Sequence, residues 1–184
     1  MRSRDVTRDR GTGAVDPELE ELCRREYPRL VGALTLYVGE RTVAEQLAQD
    51  ALLRLCQQWP RVRGFASPAA WLQEVGLNLG RSWWRRYYAE RRAWLRHGVV
   101  DVVHDPDSAD AVAVRQAVGG LPERQRLALI LRFYEQLPIA HVAARMGCAE
   151  GTVKALTHQA VSTLRRQFAM DDQTDQREEE VLHG

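Results

Sequence analysis

Cysteine is scarce in this chain of 184 residues, and long apolar runs are absent from it. The three cysteines, Cys23, Cys56 and Cys148, are odd in number, far apart and never in a C-x-x-C pair. This pattern argues against a disulfide scaffold or a zinc knuckle and favours a reducing compartment. No apolar run approaches the roughly 18 residues of a membrane span, and the N-terminus has no apolar signal segment. We therefore expect a cytoplasmic protein that is not inserted into a membrane.

Motifs of enzyme chemistry are missing as well. The sequence has no G-x-S-x-G, no H-E-x-x-H and no glycine-rich phosphate loop. His141, Cys148 and His158 are too widely spaced for a persuasive zinc site, and a core or solvent-facing position is the better interpretation. Arginines lie near Ser82, but no carboxylate cluster for metal ions accompanies them. We expect no enzymatic activity, no catalytic residue, no metal and no cofactor.

A large excess of charge of one sign is also lacking, since 26 basic and 25 acidic residues give a formal net charge of +1. The charges are nevertheless segregated along the chain. Basic residues crowd 81–96 and the last predicted helix, whereas acids crowd 101–110 and 171–180. The near-zero total is a cancellation between segments, so it does not exclude a polyanionic partner.

Helical start and stop signals organise residues 121–166. Pro122 stands at a first helical position, and the apolar residues after it recur at three- and four-residue steps. Pro138 opens a second, shorter helix with Arg145 on its outer face, and Gly147 ends it where a left-handed residue is needed. A third helix follows after a tight turn. Two helices joined by such a turn form a helix-turn-helix, whose second helix enters the major groove of DNA.

The last of these helices, over 151–168, carries cations and no carboxylate. Such a helix suits the phosphates of DNA, although a solvated helix of an ordinary three-helix core is the competing interpretation of the charge alone. Gln159 can also read adenine through two hydrogen bonds. The expected DNA contacts of this helix are Thr152, Lys154, His158 and Gln159, with Arg165 and Arg166 on phosphate.

Arginine alternates with tryptophan and tyrosine over residues 81–96. A basic helix with interleaved aromatics suits single-stranded or partly melted DNA, through backbone attraction and base stacking. A membrane-surface or calmodulin-like helix is the rival, but it needs a clean apolar face and these arginines occur on several sides. Before it, a loop over 60–67 carries Arg61, Arg63 and Phe65 and ends at Ser67, a cap-like residue before the next helix. The loop either holds a splayed base or plugs the core with its phenylalanine.

Three helices are predicted for the N-terminal half. The first begins near Pro17, ends at Gly39, and is kinked or split at Pro28. A capping box at 42–45 (TVAE) starts the second, and Pro60 closes it. The polar residues of the second helix are most simply explained by exposure to solvent.

Three segments resemble bacterial sigma factors of the extracytoplasmic-function (ECF) group. The run at 121–154, LPERQRLALILRFYEQLPIAHVAARMGCAEGTVK, resembles their region four. The run at 42–59, TVAEQLAQDALLRLCQQW, is similar to the part of region two that binds the clamp helices of RNA polymerase. The segment 71–86 resembles the helix of region two that reads and melts the −10 element. The chain departs from the family at Ser82, where Asp is common, and at Gln46.

This resemblance implies roles for individual residues that the spacing of residues along the sequence does not indicate by itself. The implied polymerase contacts are Glu45, Gln46, Gln49, Asp50 and Arg54. The implied contacts to the −10 element are Arg61, Arg63, Phe65, Asn78, Arg81, Trp83, Trp84, Arg85, Arg86 and Tyr88. The last helix would then hold the −35 element, although Ala155 and Leu156 replace expected polar or basic residues there. The family also implies an anti-sigma factor as a partner.

The expected fold class is all-α, with two small helical domains, a region two bundle and a region four helix-turn-helix, joined by a flexible linker. The layout is a disordered tail (1–16), the region two domain (17–96), an acidic linker (97–110), the region four domain (111–170) and an acidic disordered tail (171–184). The implied function is an ECF sigma factor, which binds RNA polymerase core and directs recognition and melting of promoter DNA. The alternative is a helix-turn-helix transcriptional regulator acting without core polymerase, which leaves the N-terminal motifs unexplained.

Overall fold

The structure, a computed structural model, describes the backbone of residues 16–94 and 109–182 and the side chains of 16–87 and 111–169. Most of the predicted N-terminal tail and residues 97–108 of the predicted linker therefore lie outside the described residues. Within the two described ranges every regular element is a helix. The all-α expectation is confirmed.

Three long helices form the N-terminal bundle: α1 (Pro17–Val38), α2 (Arg41–Val62) and α3 (Pro68–Trp94). They meet along apolar stripes, and the largest fully buried side chains of this bundle are Leu30, Leu34, Tyr37, Leu55 and Leu72. Each fully buried leucine of this kind contributes about 1.5–3 kcal/mol relative to an exposed one. The bundle is therefore held mainly by its aliphatic core.

The two ends of α1 have the residues that such ends require. The carboxylate of Asp16, which the sequence assigned to the tail, accepts a hydrogen bond from the backbone N–H of Glu18 at 3.0 Å and caps the helix. Gly39 closes it in the left-handed conformation, with φ 87°. Pro28 does not split the helix, which runs without interruption from residue 17 to residue 38. One missing backbone hydrogen bond is outweighed by the buried residues on either side of it.

The start of α2 corrects the predicted capping box. The helix begins at Arg41 with Glu40 as its N-cap and without a side-chain capping bond. Thr42 therefore lies in the first turn of the helix, past the N-cap position from which its hydroxyl was expected to bond a backbone N–H. Glu45, the other half of the predicted box, instead accepts a hydrogen bond from Arg41 at 3.0 Å.

The end of α2 corrects a second prediction. Pro60 lies inside the helix, which continues to Val62, so the loop is confined to 63–67. Burial of the side chains of Trp59 and Val62 keeps this last turn in place. The predicted cap of α3 is present, because the Ser67 hydroxyl accepts a hydrogen bond from the backbone N–H of Ala70 at 3.1 Å.

The C-terminal bundle consists of α4 (Ala109–Gly119), α5 (Glu123–Leu129), a π-helical turn (Ile130–Tyr134), α6 (Ile139–Met146) and α7 (Glu150–Leu182). Its buried apolar side chains are Val118, Leu121, Leu127, Ala128, Ile130, Leu131, Val142, Ala143, Val153 and Ala160. Pro122 and Pro138 were predicted to be first helical residues, but they are the N-caps, one residue before the helices begin at Glu123 and Ile139. The predicted helix-turn-helix is formed by α6 and α7.

Two features of this bundle differ from the sequence interpretation. The helix that begins at Glu123 widens into the π-helical turn after Leu129, which the three- and four-residue periodicity did not predict. The backbone of α7 remains helical to Leu182, whereas a disordered tail was expected from residue 171. The loss of apolar periodicity after Arg166 ends the packing pattern, but Gln, Glu, Arg and Met still favour a helical backbone.

The two bundles are packed together. Helix α1 contacts both α4 and the π-helical turn, and the buried core is continuous from one bundle to the other. Among the described residues, none of the helices is both long and apolar enough to cross a membrane.

Candidate nucleic-acid and polymerase interfaces

The turn between α6 and α7 presents the start of α7 to solvent. Gly147 adopts the left-handed conformation with φ 59°, and the next N–H, of Cys148, donates to the Ala143 carbonyl at 3.0 Å. Val142 and Val153 are fully buried and hold the two helices together. The opposite face of α7 is thereby left open along the first turns, as a recognition helix requires.

The predicted −35 contacts lie on two stripes of α7. Thr152, Gln159 and Arg166 are seven residues apart and form one stripe, while Lys154, His158 and Arg165 form the other. Both stripes flank the face opposite the buried Val153 and Ala160. Five of the six side chains are exposed and Thr152 is half-buried. The Gln159 amide oxygen accepts a hydrogen bond from Gln125 of α5 at 3.2 Å, which fixes its orientation.

Phe65 does not plug the core. Its side chain is 38% exposed in the short loop after α2, and the Arg61 guanidinium carbon lies 5.9 Å from the centre of its ring. Arg63 is held by two carboxylates, Asp16 at 3.2 Å and Glu18 at 3.6 Å. The structure thus presents an aromatic face and a guanidinium side by side, the arrangement that suits an unstacked base.

The aromatic residues of α3 pack against one another. Trp83 stacks on Tyr87 with ring centres 5.0 Å apart, and Trp84 meets both rings edge-on at 5.4 Å. Trp84 is half-buried and donates its indole N–H to the Tyr37 carbonyl at 2.7 Å, so it faces the protein. The side chain of Tyr88 lies outside the described ones.

A polar cleft of about 610 Å³ joins predicted polymerase contacts to predicted −10 contacts. Its charged and polar lining residues are Asp50, Arg54, Asn78, Ser82, Arg85 and Arg86. The Ser82 hydroxyl accepts a hydrogen bond from Arg85 at 3.1 Å, and Asn78 accepts one from Arg81 at 3.3 Å. Serine at residue 82 therefore still orients an arginine but adds no negative charge to the cleft.

The predicted polymerase contacts follow one side of α2. Gln46, Gln49, Asp50 and Arg54 are exposed, while Glu45 is half-buried and paired with Arg41. Leu53 lies among them with 58% of its surface exposed, and the sequence analysis missed it. The signal that could have found it is the leucine pair at 52–53, because adjacent side chains of a helix point about 100° apart and the second leucine turns away from the buried stripe.

Arg126 is a second residue that the sequence analysis missed. Its side chain is 2% exposed and donates hydrogen bonds to backbone carbonyls, among them those of Leu121 at 2.9 Å and Tyr37 at 2.8 Å. The available signal was its position four residues before Ile130, on the apolar stripe of the predicted helix. Together with the basic α3 and the exposed face of α7, these features define a two-domain helical protein suited to binding DNA.

Comparison with known proteins gives the family. A family model described as Sigma-70 region 2 matches residues 22–90, and one described as Sigma-70, region 4 matches residues 111–164. An RNA polymerase sigma-E factor of Streptomyces coelicolor is 28% identical over 157 residues, which cover 84% of this chain and 88% of that protein. The ECF RNA polymerase sigma factor SigL of Mycobacterium tuberculosis is 28% identical over 174 residues, covering 87% of this chain and 94% of the relative.

The fold agrees with these matches. A solved structure of the sigma factor RpoE in complex with the anti-sigma factor NepR, from Bartonella quintana, has a TM-score of 0.70 and 24% identity. The likeness covers 84% of this chain and 98% of that one. With its region 2 and region 4 matches in order along one chain, the protein belongs to the sigma-70 family, in the ECF group.

Proposed function

We propose that this chain is an ECF sigma factor that binds RNA polymerase core and directs recognition and melting of promoter DNA. The observation that carries the proposal is the presence of both sigma regions, at 22–90 and 111–164, over most of the described chain. Its relatives of similar length are named as sigma factors. A helix-turn-helix regulator acting without core polymerase is not favoured, because it leaves the region 2 match unexplained.

The exposed face of α7 is the proposed reader of the −35 element. Lys154, His158 and Arg165 lie along one stripe with a cation at each end, and Arg166 adds a cation on the other stripe. Such side chains bind phosphate, which positions the helix on the duplex. Gln159, oriented by Gln125, supplies the base contact, because a glutamine amide can pair with adenine through two hydrogen bonds.

The −10 element is assigned to the loop at 63–67 and the adjoining surface of α3. The exposed ring of Phe65, beside Arg61, is the proposed stacking surface for an unpaired base. The cleft lined by Arg85 and Arg86 would take the phosphates next to it. Stacking energy released there favours strand separation, since bases inside a duplex cannot reach an aromatic side chain.

The polymerase-binding surface is assigned to the exposed side of α2. Gln49, Asp50 and Arg54 offer polar groups around the apolar side chain of Leu53. An apolar centre with a polar rim is the usual composition of a protein interface. An anti-sigma factor that masks this surface is the expected negative regulator, and the cytoplasm is the expected compartment.

The test is co-elution of the full chain with RNA polymerase core on a sizing column. Retention by core should be lost when Gln49 and Asp50 are both changed to Ala. The matched control changes Gln58 and Glu74, an exposed amide and an exposed carboxylate outside the proposed surface, to Ala. The proposal is supported if the control variant still binds core and the Gln49 and Asp50 variant does not. If the wild-type chain does not associate with core but binds duplex DNA in a salt-sensitive way, the alternative function, a helix-turn-helix regulator acting without core, is the one that remains.

A further inference from the structure

Two of the three cysteines meet in the folded chain. Cys23 lies on α1 and Cys56 on α2, and both are free thiols. The Cys56 side chain is exposed, whereas that of Cys23 is half-buried against the core of the N-terminal bundle. Burial raises the pKa of Cys23, and the Cys56 thiol adds to this shift through its charge and a hydrogen bond. The two sulfur atoms are therefore neighbours.

The register of the first two helices explains why these thiols meet. The helices are joined by a short turn at 39–40, and Asp16 at the start of α1 pairs with Arg63 after the end of α2 at 3.2 Å. They therefore run antiparallel. Cys23 follows Asp16 by seven residues and Cys56 precedes Arg63 by seven, which is about two turns along each helix. Equal steps from one contact bring the two cysteines face to face.

Cys56 borders the surface that the proposed function assigns to polymerase. It follows Leu53 by three residues and Gln49 by seven, so the three exposed side chains lie on one stripe of α2. Trp59, three residues further on, is buried and bonded to Asp16 at the start of α1. The Cys56 thiol thus lies between the proposed polymerase contacts and the packing of α2 against α1.

An exposed thiol beside a second thiol is the arrangement in which oxidation ends in a disulfide. The Cys56 sulfur attacks one oxygen of hydrogen peroxide, the O–O bond breaks, and the leaving hydroxide takes up the thiol proton as water. The Cys23 sulfur then attacks the sulfenic acid on Cys56, and a second water leaves with the Cys23 proton. Two thiols and one peroxide give one disulfide and two waters. Two equivalents of a small-molecule thiol reverse the reaction through a mixed disulfide.

We propose that Cys23 and Cys56 form a redox site that hydrogen peroxide converts reversibly into a disulfide, and that this disulfide weakens binding to RNA polymerase core. The effect on core rests on the proposed function, whereas the disulfide itself does not. A covalent bond holds two sulfur atoms closer together than contacting thiols stand, so it draws this turn of α2 towards α1. The stripe that carries Leu53 and Gln49 then fits its partner less well, and interfaces depend on close shape complementarity.

The disulfide also gives a readout that does not involve polymerase. It would close a loop from residue 23 to residue 56, which restricts the unfolded chain and stabilises the folded one. The oxidised chain should therefore melt several degrees above the reduced chain. An unchanged Tm together with an unchanged mass would overturn the redox site.

The first measurement is the mass of the full chain after exposure to hydrogen peroxide, with the remaining thiols alkylated after unfolding. The expected product has lost two hydrogen atoms and carries one alkylated cysteine, Cys148. Digestion should yield the peptide of Cys23 joined to that of Cys56, and dithiothreitol should separate them. A product in which Cys148 is bonded to either of the others, or in which all three cysteines are alkylated, would overturn the site.

Single variants separate the pair from general oxidation. Cys23→Ala and Cys56→Ala each leave one thiol without its partner, so neither should lose two hydrogen atoms. Cys148→Ala is the matched control, because it removes a half-buried thiol from the turn between α6 and α7 and should form the disulfide as wild type does. After removal of peroxide, the affinity for core should be severalfold weaker for oxidised than for reduced wild type and Cys148→Ala. It should be equal for treated and untreated Cys56→Ala.

The outcomes keep this inference apart from the proposed function. Absence of the disulfide overturns the redox site and leaves the sigma function as it was. A disulfide that forms without changing the affinity for core overturns its effect on polymerase binding. A chain that binds core in neither redox state refutes the proposed function, and the mass and Tm still decide whether the redox site exists.

Discussion

The indole N–H of Trp59 donates to Oδ2 of Asp16 at 2.8 Å, which ties the end of α2 to the start of α1. The same carboxylate caps α1 and pairs with Arg63 at 3.2 Å. One residue at the beginning of the described part of the chain therefore also anchors the loop that carries Phe65.

Replacement of Asp16 should lower thermal stability in a pH-dependent way. The hydrogen bond from Trp59, with the Arg63 charge in support, holds the pKa of Asp16 below its ordinary value of 3.8. A depressed pKa means that the stabilisation is present above 3.8 and is lost as the pH falls through the lower folded value. At neutral pH we expect the Tm order wild type, Asp16→Asn, Asp16→Ala, because asparagine still caps the helix. Melting curves over a pH series check this, and a constant difference between wild type and Asp16→Asn would contradict it.

Replacement of Lys154 by Ala should weaken binding to all duplex sequences alike. A lysine on phosphate releases counterions when it binds, so its loss should reduce the salt slope by about 0.9. Arg124→Ala is the control, because it removes an exposed cation of α5 that is not among the proposed contacts. Fluorescence anisotropy at several salt concentrations measures both. An unchanged slope for Lys154→Ala would remove this residue from the DNA interface.

Truncation of Leu53 to Ala should weaken binding to RNA polymerase core while leaving the fold intact. The side chain is 58% exposed, so its removal leaves no cavity. Burial of a leucine in an interface is worth about 1.5–3 kcal/mol, which corresponds to a loss of affinity of roughly 10- to 100-fold. A titration of core with labelled chain measures the affinity, and Tm serves as the control. Wild-type affinity for the variant would show that this surface of α2 does not meet core.

Replacement of Glu135 by Gln should stabilise the chain increasingly as the pH rises. Burial, with a smaller contribution from the Glu26 carboxylate, raises the pKa of Glu135 above 4.5, and Arg29 and Arg145 oppose that shift. A raised carboxyl pKa means that stability is highest below 4.5 and falls as the pH rises through the folded value. The Tm difference between variant and wild type should therefore shrink on acidification. Parallel Tm curves for the two proteins would contradict the expectation.

The sequence predicted those elements whose causes are local. A left-handed glycine ends α1 at Gly39 and α6 at Gly147, and the Ser67 hydroxyl caps α3. The predicted helix start at Thr42 and the predicted helix end at Pro60 were wrong. Each signal lies within a few residues of a real end of α2, but the packing of the buried residues nearby sets where that end falls. Local chemistry indicates that a boundary exists, whereas packing decides where it falls.

Contacts between distant parts of the chain were beyond the sequence patterns. Arg145 was expected to point outward, yet it donates to the Ala70 carbonyl of the other domain. Cys23 and Cys56 are far apart in sequence, but burial and the neighbouring Cys56 thiol together raise the pKa of Cys23. Helical periodicity assigns a side chain to a face of its helix and does not say which element covers that face.

The most direct measurement is transcription from fragments of the genome that encodes this chain, with RNA polymerase core and the purified protein. For an ECF sigma factor we expect defined transcripts only when core and the protein are both present, with start sites that share sequence near −10 and −35. The Gln49 and Asp50 double variant should abolish them, and the Gln58 and Glu74 control should not. Absence of transcripts despite binding of the protein to duplex DNA without core would contradict the sigma function.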